Sequence, residues 1–295
     1  KRVNPASFKS QKRAGKGLIG SDVADEDFLS HFMSANSHDN ILFFTDRGRV
    51  FQTKVYEIPE ASRVAKGKAF HNFLEIPLEE KVNAIITYPV ESKVKSEKSL
   101  APGRAGGQVK VEGYLVMITK NGMIKKTPLQ DFENVRKNGI IAIKLKKSDS
   151  LQWVRLSSGN DQVVLTTAQG QAIRFKESQL RSMGRATSGV RGIRLRKGDM
   201  VMSLNIVNKE SEKGQILTVM ANGFGKRTSL SEYKVQGRGG SGIKTCKVTP
   251  KTGSVINSLI VGEEKEILAL SSKGQIIRTQ LESIRESGRA TQGVR

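Results

Sequence analysis

Apolar and polar positions along this chain return in the same order six times. Each return opens with two short runs joined at a glycine, as in Ile41–Gln52, Leu115–Lys126, Val163–Arg174, Ile216–Gly223 and Ile267–Gly274. The run before the glycine is nearly all apolar, which predicts a strand buried on both faces. The run after it alternates. Ile173 and Phe175 share one face and Arg174 and Lys176 the other, which predicts a strand with one wet face. Asn121-Gly122 and Asn222-Gly223 predict type I′ hairpin turns, because both residue types tolerate positive φ. A glycine-rich basic loop follows, then a third apolar run such as Gly139–Leu145 or Gly192–Leu195. A short acidic turn leads to a fourth, such as Met200–Ile206 or Ser254–Val261. Residues 25–35 also fit a short helix, but the repeat argues for a strand there.

Four short strands in a unit of roughly 50 residues predict an all-β, six-bladed, propeller-like disk. A linear solenoid fits less well, since no distinct capping repeats are visible. The repeats span roughly 1–40, 41–90, 113–161, 162–214, 215–265 and 266–295, within one domain of 295 residues. Residues 91–112, rich in Lys, Ser and Gly, break the spacing and read as a surface insertion. The first and last repeats read as incomplete, so closure of the ring has to involve both.

The turn glycines Gly48, Gly122, Gly170, Gly223 and Gly274 set a register. Ten residues on stand Phe8, Ile58, Phe132, Leu180, Tyr233 and Ile284, which predicts a core column. Four residues on stand Arg2, Gln52, Lys126, Arg174, Arg227 and Arg278. Fifteen on stand Arg13, Arg63, Lys137, Arg185, Arg238 and Arg289, a cation every time. Nineteen on stand Gly17, Gly67, Ile141, Gly189, Gly242 and Gly293. The loops Gly184–Arg191 and Gly288–Arg295 differ at one position only. Cations held in register along a closed array predict a rim that meets a polyanion along a line, with Lys66, Lys68 and Arg191 as further rim cations.

Composition sharpens that expectation. Fifty Lys and Arg against 28 Asp and Glu give a net charge of +22 and a pI near 10.1. Nucleic acid and anionic membrane surfaces are the partners such a charge selects. No apolar run approaches a membrane span, no amphipathic basic helix appears, and Lys1 opens no leader pattern, so no membrane partner is expected. The single cysteine, Cys246, excludes an internal disulfide, suits a reducing cytoplasm, and reads as a packed small residue. His31, His38 and His71 lack metal-ligand spacing. Gly15-Lys16-Gly17 is too short for a nucleotide-phosphate loop. No catalytic residue, metal or cofactor is expected in this chain.

The heptad Gln11-Lys12-Arg13-Ala14-Gly15-Lys16-Gly17 resembles the gyrase-A box, Gln-(Arg/Lys)-Arg-Gly-Gly-(Arg/Lys)-Gly, and departs from it at Ala14. Ser37–Val50, Phe175–Ser178 and Gly184–Leu195 extend the resemblance along the whole chain, to the C-terminal domain of the A subunit of bacterial DNA gyrase. The resemblance implies a six-bladed β-pinwheel that wraps double-stranded DNA, so that the enzyme, a type II topoisomerase, introduces negative supercoils. The partners it implies are the rest of the gyrase A subunit, plus the gyrase B subunit. It further implies that ATP and Mg are used elsewhere in the holoenzyme, and a cytoplasmic, nucleoid-associated place in a bacterium. A family glycine with positive φ at position 14 would make Ala14 cost about 1 kcal/mol or more.

Wrapping has a physical requirement. Bending ~40 bp through half a turn costs on the order of 10 kcal/mol, so phosphate contacts must recur along the path. Repeated Lys, Arg and exposed amides supply such contacts without reading sequence. Scarce aromatics, 5% of the chain, disfavour single-strand stacking. The rival readings are the related C-terminal domain of topoisomerase IV, a protein-binding propeller, and a self-contained enzyme. The box and the six repeats weigh against the first, the cation column against the second, and the missing constellations against the third.

Overall fold

A computed structural model describes residues 1–4, 18–19, 31, 33–62, 65–89, 113–270 and 275–295. The side chains at 18–19, 268–270 and 275–278 are not among the described features. The heptad 11–17, Phe8, Arg63, Gly274, residues 20–30 and the insertion 91–112 lie outside the described residues. Residues 31 and 33–35 carry no regular element.

The chain is all-β, built from small antiparallel sheets of one recurring plan. In the fourth repeat Gln162–Thr167 pairs with Gln171–Lys176 across the hairpin and with Val201–Val207 on its other side. The outermost strand of that sheet is Ile243–Lys244, which comes from the fifth repeat. The same exchange places Ile140–Ile141 of the third repeat on Arg49–Lys54 of the second, and Val190–Arg191 of the fourth on Met123–Pro128 of the third. Leu18–Ile19 of the first repeat pairs with Gln275–Gln280 of the sixth, Leu18 opposite Ile276. The exchange therefore runs round a ring.

The hydrophobic pattern explains the layering. The first strand of the hairpin is buried throughout in Asn40–Thr45, and at all but its first residue in Tyr114–Thr119 and Gln162–Thr167. Its two faces feed two different cores, each lying between neighbouring sheets. Leu42 and Phe44 pack with Leu115, Met117 and Phe132 of the next repeat. Val116 and Ile118 pack with Val163, Leu165 and Phe175. Val164 and Ala172 pack with Ile216, Leu230 and Tyr233. Fourth strands pack on fourth strands: Val82–Tyr88 on Leu151–Ser157, that on Val201–Val207, and that on Val255–Val261. Asn83 Nδ2 donates to Leu151 O at 2.8 Å and Asn205 Nδ2 to Ser258 O at 2.9 Å across these seams. The fourth strands thus face the centre, and the exchanged strands and the loops before them form the outer edge.

Two expectations change. Asn121 and Asn222 do not adopt positive φ, which among the described non-glycine residues Ser148 alone does. Gly122 N–H donates to Thr119 O at 3.0 Å, and Gly122 itself holds φ +83. That geometry is a three-residue loop closed by a left-handed glycine, the other common hairpin solution, rather than type I′. The third strand is also shorter than the apolar runs suggested: it is Val190–Arg191, while Gly192–Leu195 beyond it is not a strand. The core column holds at Phe132, Leu180 and Tyr233, which are buried. Ile58 and Ile284 pack against their cores from partly buried positions.

Candidate nucleic-acid interface

The two cation columns separate in space. Four residues after the turn glycine, the side chains turn inward and lock one repeat to the next. Arg174 is 8% exposed; its Nε donates to Gln162 Oε1 at 2.7 Å and its Nη1 to Leu230 O at 2.9 Å. Arg227 repeats the arrangement, with Nη1 to Gln215 Oε1 at 2.9 Å and Nε to Ile284 O at 2.7 Å. Lys126 lies 3.4 Å from the fully buried carboxylate of Glu177 and stands over the Tyr114 ring. Arg2 pairs with Glu60 at 3.2 Å. The main chain joins in: Arg2, Lys126, Arg174 and Arg227 form parallel bridges to Glu60, Ser182, Val235 and Glu286 of the following repeat. The structure therefore makes Lys126 and Arg174 inter-repeat ties and not rim cations, and it gives Arg2 and Arg227 partners of the same kind. Alternation put these side chains on one face, and the next blade covers that face.

The second column lies on the outer edge. Arg185, Arg238 and Arg289 are half-buried, and Lys66, Lys68, Lys137 and Arg191 are exposed. Arg289 Nη1 donates to Lys244 O at 3.1 Å, and Arg238 Nη1 makes the same bond to Arg191 O. Each arginine thus rests on the exchanged strand of the preceding repeat. Their main-chain N–H groups are held as well, Arg238 by Gln179 Oε1 at 2.7 Å and Arg289 by Glu232 Oε2 at 3.1 Å.

The third repeat departs from the register. Gly189, Gly242 and Gly293 hold φ between +70 and +78 just before the exchanged strand, and a Cβ on Gly242 would sit 2.4 Å from Ala172 O. In the third repeat Gly139 takes this role, with φ +71 and Phe51 filling the Cβ position. Its loop is therefore two residues shorter. The slot of Arg185 and Arg238 falls on Val135, which packs on the core, and Lys137 stands two residues closer to the exchanged strand.

Counting from that glycine reveals rim cations the hairpin register missed. Five residues on stand Lys144, Arg194 and Lys247, all exposed. Their N–H groups donate to Thr187 O at 3.0 Å, Gly240 O at 2.8 Å and Thr291 O at 3.0 Å in the loop of the next repeat. Two residues on, Arg191, Lys244 and Arg295 are exposed cations too. Gln236-Gly-Arg-Gly-Gly-Ser-Gly242, also overlooked, matches the box at five of its seven positions. In it Gly239, the counterpart of Ala14, holds φ +82, whereas the counterparts Ala186 and Ala290 do not have positive φ.

The family model described as the DNA gyrase C-terminal domain, beta-propeller, matches residues 1–36, 39–71, 113–158, 161–208, 215–261 and 265–295. The chain belongs to this family. The DNA gyrase A subunit of Staphylococcus epidermidis is 40% identical over all 295 residues, which span 31% of that protein. The DNA gyrase A subunit of Mycolicibacterium smegmatis is 42% identical over 297 aligned residues, all of this chain and 33% of that protein. The chain thus spans about a third of the gyrase A relatives it matches. A solved DNA gyrase A C-terminal domain superposes with a TM-score of 0.79 at 25% identity, covering 98% of this chain and 88% of that one. The solved C-terminal domain of a DNA topoisomerase IV gives 0.74 at 24% identity, covering 99% and 84%, and shares the fold.

Among the described residues no group of three or more His, Cys, Asp and Glu side chains could hold a metal ion. No helix there is long and apolar enough to cross a membrane. Cys246 is buried, and desolvation pushes its thiol up to about 11, against the pull of Lys226 and Lys244. Tyr233 is buried with its hydroxyl 2.6 Å from Thr245 Oγ1, and burial pushes it up to about 12. Neither is placed to act as a nucleophile at neutral pH.

Proposed function

We propose that this chain binds, bends and wraps double-stranded DNA around its outer edge, without regard to sequence, and so enables a gyrase holoenzyme to introduce negative supercoils. The observation that carries the reading is the recurrence of exposed cations beside the exchanged strands: Lys144, Arg194 and Lys247 in one slot, Arg191, Lys244 and Arg295 in another. The first slot is fixed by main-chain hydrogen bonds to the loop of the next repeat, and Arg191 and Lys244 of the second lie on strands paired with the preceding repeat, so the positive charge recurs at the blade spacing on a hydrogen-bonded support. Phosphates spaced along a bent duplex meet such a surface without base contacts. The box Gln11–Gly17, with Lys12, Arg13 and Lys16, belongs to the same rim, as do Arg63, Lys66, Lys68, Lys137, Arg185, Arg238 and Arg289. Arg278 keeps the sequence register of Arg174 and Arg227, four residues after Gly274.

In this reading the chain is the non-catalytic part of a type II topoisomerase. Strand breakage belongs to the rest of the gyrase A subunit. ATP and Mg belong to the holoenzyme formed with the gyrase B subunit. Its place is the bacterial cytoplasm, on the nucleoid. The test is the salt dependence of binding to a 150-bp duplex. The logarithm of affinity is expected to fall steeply with the logarithm of salt. Arg194→Glu with Lys247→Glu should reduce that slope by about 2, since each phosphate contact contributes roughly 0.9. Wild-type slope in the folded double variant would remove these residues from the interface.

A further inference from the structure

One residue before the inward cation slot, the second strand carries a position that alternates in kind from repeat to repeat. It is lysine in the first, third and fifth repeats (Lys1, Lys125, Lys226) and apolar in the second, fourth and sixth (Phe51, Ile173, Ile277). Lys125 and Lys226 are fully buried. Lys125 Nζ donates to Arg185 O at 2.7 Å, Ala142 O at 2.8 Å and Gly184 O at 2.9 Å. Lys226 Nζ donates to Gly288 O and Arg289 O at 2.7 Å and to Thr291 Oγ1 at 3.2 Å. Lys1 Nζ reaches the Ser62 and Ala65 carbonyls of the second repeat's loop.

Three donors thus meet three acceptors, and the geometry is saturated. The acceptors are neutral, however, and among the described residues neither Lys125 nor Lys226 forms an ion pair. A buried charge without a counter-ion is costly, and isoleucine at the matching position of the fourth repeat serves the fold. Apart from Ala142 O, the carbonyls held are those of the loop that carries Arg185 or Arg289. A charge behind that loop, in a medium of low polarity, also acts on whatever anion lies in front of it.

We propose that Lys125 and Lys226 are positioning residues for the rim. Each fixes the loop 184–187 or 288–291 in its phosphate-contacting geometry and places a buried positive charge behind it, so that DNA contact and protonation of the lysine favour one another. The proposal rests on the DNA-binding reading above. Desolvation lowers both ammonium groups to about 8. Asp131 opposes that and Arg185 adds to it at Lys125. Cys246 and Glu232 oppose it and Arg289 adds to it at Lys226. Near pH 8 each lysine is then about half neutral, and a phosphate on the loop draws up to about half a proton at each.

The experiment is calorimetry of duplex binding by the intact chain at pH 8, in two buffers of different ionisation heat. Wild type should take up about 0.3 proton per bound chain for a threefold effect on affinity, rising towards one for a larger effect, and Lys125→Ile/Lys226→Ile close to none. At pH 7 the variant should bind roughly threefold or more weaker, with the gap closing by pH 9.5. Amide exchange of 184–187 and 288–291, followed without DNA, should quicken about tenfold in the variant. Equal proton uptake, or unchanged exchange in a folded variant, overturns the proposal. If the double variant fails to fold, Lys226→Met is judged by the same two readouts. A wild-type chain that binds no duplex would instead overturn the DNA-binding reading, while loop exchange would still judge the lysines.

Discussion

Lys126→Met separates a structural tie from a DNA contact. The substitution keeps the length of the side chain and removes its charge. Lys126 Nζ lies 3.4 Å from Glu177 Oε1 and 3.3 Å from Gly159 O. Glu177 is fully buried and also accepts from Ser157 Oγ at 2.8 Å and Asp161 N–H at 3.2 Å. Removing one partner of a buried pair costs about 3–5 kcal/mol. The two remaining donors to Glu177 place the expected loss near the low end, about 3 kcal/mol. Urea unfolding at pH 7 reads it, followed by the fluorescence of Trp153, which lies on the fourth strand of the same sheet. Lys126→Met/Glu177→Gln should recover more than half of the loss, because no charge is then left unpaired. The folded single variant should bind DNA with the wild-type salt slope. A stability loss under about 1 kcal/mol, together with a salt slope reduced by about 1, would refute the inward placement and return Lys126 to the rim.

Other outcomes follow from the same geometry. Gly242→Ala puts a Cβ 2.4 Å from Ala172 O at φ +70 and should cost about 2–4 kcal/mol in thermal unfolding. Gly198→Ala, at φ +73 but in open space, should cost only about 1 kcal/mol. The unfolded chain holds the Lys226 proton up to the ordinary 10.5 and the folded chain only to about 8. Wild type should therefore gain stability relative to Lys226→Ile as pH rises from about 8 to 10.5. At about 1.4 kcal/mol per tenfold in proton affinity the gain is at most about 3 kcal/mol; a gap independent of pH would count against the buried charge. Cys246, with its thiol raised to about 11, should react with an aromatic disulfide reagent at pH 8 only at the rate of unfolding; immediate labelling would contradict its burial.

Much of the fold was legible because its repeat is carried by residues with one physical use each. The hairpin glycines, the apolar first strands and the core column at Phe132, Leu180 and Tyr233 stand where periodicity placed them. The site was legible in part. Alternation cannot tell a face that meets solvent from one that meets the next blade, so Arg174 and Lys126 read as rim cations although neighbouring repeats bury them. Counting from the hairpin glycine also carried Lys137 into a slot that Val135 occupies, because the third loop is two residues shorter. Only the left-handed glycine before the exchanged strand keeps the loops in register, and counting from it brings Lys144, Arg194 and Lys247 together. Lys125 and Lys226 gave no signal of burial, since a lysine on an alternating strand ordinarily faces water.

The most direct measurement is the linking number of nicked circular plasmid ligated in the presence of this chain and then freed of protein. Wrapping predicts a shift that grows with the amount of bound chain. The shift should be lost in Lys12→Ala/Arg13→Ala/Lys16→Ala and reduced in Arg194→Glu/Lys247→Glu. Tight binding with no change in linking number would contradict wrapping and leave a basic disk that holds DNA without bending it round its edge.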